Sequence, residues 1–144
     1  MKKLINTSMV YMAAALAGGV FYREFTKFNG YVGETALGKV HAHLFMLGMF
    51  FWLIVTLLAG RWQGILKDKL FGRFFVLYNI AVPFMAVMLV VRGVLEVLGT
   101  ELSSGMNGMI SGFAGIAHIL ATAALVMLFV ISVSYTHLTL PTKA

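Results

Sequence analysis

Four apolar stretches divide the chain, at residues 4–22, 39–60, 74–94 and 108–131. Each is close to the roughly 20 residues that a helix needs to cross about 30 Å of hydrocarbon. Residues 43–59 contain no Lys, Arg, Asp or Glu. Such runs leave few folds open, because backbone N–H and C=O groups in lipid must be satisfied within the segment, as a helix does. The expectation is an all-α protein, an integral membrane bundle of four transmembrane helices forming a single domain over residues 1–132. Composition agrees: of 144 residues, 60% are hydrophobic and 11% charged, with a mean hydropathy of +0.92. Soluble domains carry roughly 25% charge, and a core of this size could not hide so much apolar surface. The absence of Cys excludes disulfide frameworks and thiolate metal sites. Low polarity excludes disorder.

Short polar connectors join the stretches, the last with Ser-Ser-Gly and Asn-Gly turn signals before residue 108. Arg92 and Glu96, one helical turn apart, are expected to pair. The net charge of +6 is scattered, which suits membrane topology and gives no nucleic-acid footprint. Lys2, Lys3, Arg61, Lys67, Lys69 and Arg73 fall on one side, against Arg23, Lys27, Lys39 and Arg92 on the other. Cytoplasmic loops are enriched in Lys and Arg, so both termini are expected in the cytoplasm of a bacterial cell, with the chain multi-pass in its cytoplasmic membrane. A signal peptide cleaved at Ala15-Leu16-Ala17 is the competing reading of the first stretch, but the apolar run continues to Tyr22, as a spanning helix requires. The expected partners are the lipid bilayer and, to complete a cavity in so small a bundle, further copies or other membrane subunits.

Residues 133–142 read Val-Ser-Tyr-Thr-His-Leu-Thr-Leu-Pro-Thr, in the order that one frame of a transposase-type sequencing adaptor encodes. Residues 133–144 are therefore taken as a non-native tail, too polar to extend the fourth helix, with native sequence stopping near Ile131. His137, Pro141 and Lys143 are set aside with it.

Polar groups within spanning helices are costly and usually face the bundle interior. His118 shares a stripe with Ser111, Ala114, Gly115 and Thr122, the small and hydroxylated residues by which membrane helices pack, so it is expected to point at protein. His41 and His43 lie about 200° apart on the second helix and cannot both face one site. Facing favours His41, whose stripe holds Phe45, Gly48, Trp52 and Thr56; depth favours His43, farther from the interfacial Lys39. The second and fourth helices start on the same side, and Arg92 lies near it. A neutral imidazole is a good axial ligand for heme iron. His118 with one of His41 and His43 could thus hold a b-type heme whose propionates meet Arg92. The alternative is that each histidine is interhelical glue.

The segment His41-Ala42-His43-Leu44-Phe45-Met46-Leu47-Gly48, followed by Met49-Phe50-Phe51-Trp52, resembles the His-x-His segment of small membrane proteins grouped with heme-copper oxidase subunit I. The chain as a whole resembles a bacterial domain-of-unknown-function family of short four-helix membrane proteins. The first resemblance implies heme or metal ligation by His41 or His43 with His118, in a redox or sensing role. It does not imply oxygen reduction, because the further helices and histidines of oxidase subunits are absent.

The acids Glu24, Glu34, Asp68, Glu96 and Glu101 sit at helix ends or in connectors, which argues against a proton relay at membrane depth. Pro83, near Tyr78 and Asn79, marks either a helix break of the kind that lines cavities or a tolerated kink, and a non-enzymatic membrane component or small transporter subunit is the second functional class. No phosphate loop, nucleophile elbow or His-Glu-x-x-His motif occurs. The charge count sets a direct check of orientation. In intact cells, Lys67→Cys should resist a membrane-impermeant thiol reagent and Asn29→Cys should react; the reverse pattern would overturn the topology.

Overall fold

The computed structural model describes residues 1–62 and 64–139, with side chains up to residue 136. Four helices dominate it: α1 (Lys2–Phe28), α2 (Leu37–Arg61), α3 (Lys69–Val97) and α4 (Ser104–Thr139). All four are long and apolar enough to cross a membrane. Each outruns its apolar stretch, because capping chemistry sets the ends. At the end of α1, Gly30 adopts φ 59, its N–H bonds the Lys27 carbonyl and that of Tyr31 bonds the Thr26 carbonyl. Gly99, at φ 62, ends α3 with the same pair of bonds to Glu96 and Leu95. This double closure is the Schellman arrangement, which needs a left-handed residue and so favours glycine. Asp68 caps the start of α3 by accepting the Leu70 N–H at 2.7 Å.

α4 continues through the first part of the segment taken as a tail, to Thr139. A long helix propagates easily once formed, and Ser132 and Thr136 return their hydroxyls to the Leu128 and Ser132 carbonyls, so their polarity is absorbed locally. The Tyr135 ring lies 6.4 Å from that of Trp62. Residues 140–144 and the His137 side chain lie outside the described residues.

α2 is the central element: α1 packs along one side of it, α3 along the other, and α4 packs chiefly on α3. α1 presents Leu4, Ser8, Tyr11 and Ala15 as its buried line, spaced as one face of a helix. α4 presents Ile110, Ala117, Ala121, Ala124, Leu128 and Ile131. Between α2 and α3 sits an aromatic cluster, with Trp52, Phe74 and Tyr78 fully buried and Phe51 stacked on Tyr78 at 4.2 Å.

The middle of α2 is a π-helix over Leu44–Phe50. Widening the turn loosens the intrahelical ladder, and neighbouring helices take up the carbonyls. The Ser8 hydroxyl donates to the Met49 carbonyl at 2.9 Å, and the Tyr78 hydroxyl donates to the Leu47 carbonyl at 2.9 Å. Gly48, inside this segment, lies so close under Tyr11 that a Cβ would run into the ring. Gly48→Ala should therefore destabilise the chain by about 1–3 kcal/mol through overpacking. Gly72→Ala, where a Cβ meets nothing within 4 Å, should be neutral or gain up to about 1 kcal/mol in helix propensity. Thermal unfolding followed by circular dichroism in mild detergent would compare the two; equal unfolding temperatures would refute the close fit.

Candidate functional site

The structure separates the histidines. His41 faces α1, where a Cβ on Gly19 would sit 3.7 Å from the His41 Cβ. Of its stripe, Gly48, Trp52 and Thr56 are buried and Phe45 is half-buried, so facing and not depth describes the placement of His41. The buried His41 Nδ1 has no hydrogen-bond partner. His43 is half-buried and shares its stripe with half-buried Leu47 and exposed Phe50, Ile54 and Leu57; its Nδ1 lies 2.8 Å from the Lys39 carbonyl. His118 does not point at protein within the chain: it lies on an exposed face of α4 with Ser111, Gly115 and Thr122. Its Nδ1 is 2.7 Å from the Ala114 carbonyl. A carbonyl only accepts, so Nδ1 is the donor in both contacts.

Two stripes on α4 are built of small residues, and the alanine stripe takes the interface. Ala117 and Ala121 pack against Ala81 and Met85 of α3, because methyl groups bury apolar area that glycine lacks. At Gly105, Gly108, Gly112 and Gly115 an added Cβ would meet nothing within 4 Å.

Arg92 and Glu96 do not pair. The Arg92 Nη2 donates to Ser111 Oγ at 2.8 Å and to Asn107 Oδ1 at 3.3 Å, tying α4 to α3. Glu96 accepts the Ala36 N–H at 2.7 Å, where a carboxylate satisfies one of the free donors at a helix start. Beside it, the Thr35 hydroxyl donates to the Gly93 carbonyl at 3.2 Å, and Gly93 admits Leu37 at a distance that no Cβ would allow. Leu37, Gly93 and Ser111 thus mark one level. From it His41 and His118 lie about 6 Å and about 10 Å along their helices. Depth is shared and lateral position is not.

The residues do not fit a heme held within one chain. A bis-histidine site needs two imidazoles aimed at one point from opposite sides, whereas His41 is turned to α1, His118 lies on the open face of α4, and Arg92 is engaged by Ser111 and Asn107. Among the described residues no group of three or more His, Asp or Glu could hold a metal ion.

A groove of about 930 Å³ lies between α1 and α3, and no histidine lines it. α1 and α3 both pack chiefly on α2, and Leu44 of α2 lies in the gap between them. The α1 wall runs from Lys3 through Tyr11 to Ala14, and the α3 wall from Phe75 through Asn79 and Pro83 to Val87. Midway, the Tyr11 hydroxyl donates to Asn79 Oδ1 at 3.1 Å, while the Asn79 amide nitrogen donates to the Phe75 carbonyl at 2.8 Å. Pro83 lacks an N–H, so the Asn79 carbonyl loses its helical donor. Pro83 and Asn79 line the groove, but the helix break is absent, since α3 runs unbroken through Pro83 over Lys69–Val97; Tyr78 turns away to Leu47. Lys3 carried a signal for topology alone, and Tyr11 none beyond being a polar residue within an apolar stretch.

Four long apolar helices, with their smallest residues at the crossings and a polar pair inside an apolar groove, define a multi-span helical architecture suited to an apolar surrounding. The chain belongs to a family of proteins of unknown function, DUF2871, whose model matches residues 1–134. No curated protein and no solved structure matches it. These comparisons add nothing to the oxidase-like reading of the His41 segment.

The separation of the histidines makes a spectroscopic prediction. Protein purified from heme-replete cells should show no absorption in the Soret region. A Soret band lost both in His118→Ala and in either His41→Ala or His43→Ala would reinstate bis-histidine ligation.

Proposed function

We propose that this chain is a multi-pass protein of the bacterial cytoplasmic membrane, with both termini in the cytoplasm, and that it serves as a non-enzymatic membrane component binding an amphiphilic molecule in the groove between α1 and α3. The observation that carries this reading is the groove: apolar walls from Val10 to Val87 surround the Tyr11–Asn79 pair. Ligand sites of this size are mostly apolar with a few placed polar groups. The histidines act structurally, His41 as packing against Gly19 and His43 and His118 through their own helix backbones.

Lateral assembly with a further copy or another membrane subunit belongs to the same reading. Mid-helix glycine costs about 0.5–1 kcal/mol relative to alanine, and the glycines of α4 have no neighbour within the chain to explain them. Small residues of this kind let membrane helices approach closely.

Native mass spectrometry of the full chain, purified in mild detergent and supplied with phosphatidylcholine, tests the groove. The wild type should retain a bound lipid, and the double variant Ala14→Phe, Val87→Phe, which fills the groove from both walls, should shed it. Equal retention by the two proteins would overturn the groove reading.

A further inference from the structure

We infer that the groove between α1 and α3 is a site for an anionic phospholipid, with the headgroup phosphate held at Lys3 and an acyl chain lying along Val10, Ala14, Pro83 and Val87. This rests on the reading of the chain as a membrane component with an amphiphile groove, and it adds the charge and direction of the occupant.

Charge complementarity selects the headgroup. Lys3 stands at one mouth of the groove, its ammonium 4.1 Å from the centre of the Phe75 ring. No carboxylate answers it: the ion pair among the described residues is Arg23 with Glu24, at the far end of α1. A cation held over an aromatic face keeps its other protons free for an acceptor. The Asn6 side chain, at the same mouth, makes no hydrogen bond among the described residues and offers a further donor. Lys2, Lys67, Lys69 and Arg73 belong to the same end of the molecule, where Asp68 alone opposes them and is engaged in capping α3. The field at the mouth is therefore positive, which favours a phosphodiester bearing a net negative headgroup over a zwitterion.

The walls select the rest of the molecule. Beyond the Tyr11–Asn79 pair the lining becomes wholly apolar, at Ala14, Pro83, Ala86 and Val87. Past that point the helices converge, Gly18 and Gly19 against Val40 and His41, and Gly93 against Leu37. The groove thus runs along the helices with a cationic mouth and a hydrocarbon end. That is the polarity of a lipid lying parallel to the helices, headgroup at the Lys3 end.

Native mass spectrometry of the full chain with phosphatidylglycerol and phosphatidylcholine of identical acyl chains, supplied in equal amounts, tests the assignment. The wild type should retain phosphatidylglycerol over phosphatidylcholine by roughly fivefold, the worth of one lysine at an anionic membrane surface. Lys3→Gln, at an exposed position near the chain start, should bring the two lipids to equal retention. Lys27→Gln, at the opposite end of α1, should leave the preference intact. Equal retention of both lipids by the wild type, with both lost in Ala14→Phe, Val87→Phe, would overturn the anionic preference and leave the groove reading standing. Phosphatidylglycerol held as well by that filled variant as by the wild type would overturn both. A chain dimer abolished by filling the groove would assign it to a second copy and overturn the lipid assignment.

Discussion

The arrangement depends on a widened turn at the centre of α2. Over Leu44–Phe50 the helix adopts π geometry, and the hydroxyls of Ser8 and Tyr78 bond the Met49 and Leu47 carbonyls from opposite sides. In an apolar surrounding a backbone carbonyl without a donor is expensive, so these two bonds matter more than their number suggests. They also fix register. Ser8 places Tyr11 over Gly48, and Tyr78 places Phe51 and Trp52 in the aromatic cluster. α1 and α3 are thereby held to α2 at mid-length, and the space between them is the groove.

At one end of the molecule the contacts are of a different kind. Gly18 and Gly19 meet Val40 and His41, Gly38 meets the Tyr22 ring, and Gly93 meets Leu37. There Glu96 accepts the Ala36 N–H, and the Thr35 hydroxyl accepts the Leu37 N–H while donating to the Gly93 carbonyl. Arg92 extends the same seam to α4 through Ser111 and Asn107. Charged and hydroxylated side chains that looked available for ligand chemistry are thus consumed in joining helix ends.

The number of helices and their approximate spans were legible in sequence because hydropathy and segment length report them directly. Their ends were not, since Gly30 and Gly99 close the first and third helices by backbone conformation. The choice between His41 and His43 was not legible, because the stripe of Gly48, Trp52 and Thr56 favoured His41 while depth favoured His43. The placement of His118 was misjudged, since α4 carries two small-residue stripes and the spacing alone does not say that Ala117, Ala121 and Ala124 win the contact with α3. The π segment left no mark in periodicity over so few residues. The pairing of Arg92 with Glu96 failed because each found a partner outside α3, which i,i+4 spacing does not foresee.

Gly18, Gly19, Gly38 and Gly93 bring the helices together near one end of the molecule, whereas Lys3, Asn6 and Phe75 line the groove near the other. In a bilayer, the polar part of the groove would face one monolayer and its apolar part the hydrocarbon interior. The chain would in this way distinguish the two faces of a membrane through the chemistry of a single groove, and that asymmetry would be set by where Lys3 falls in the sequence.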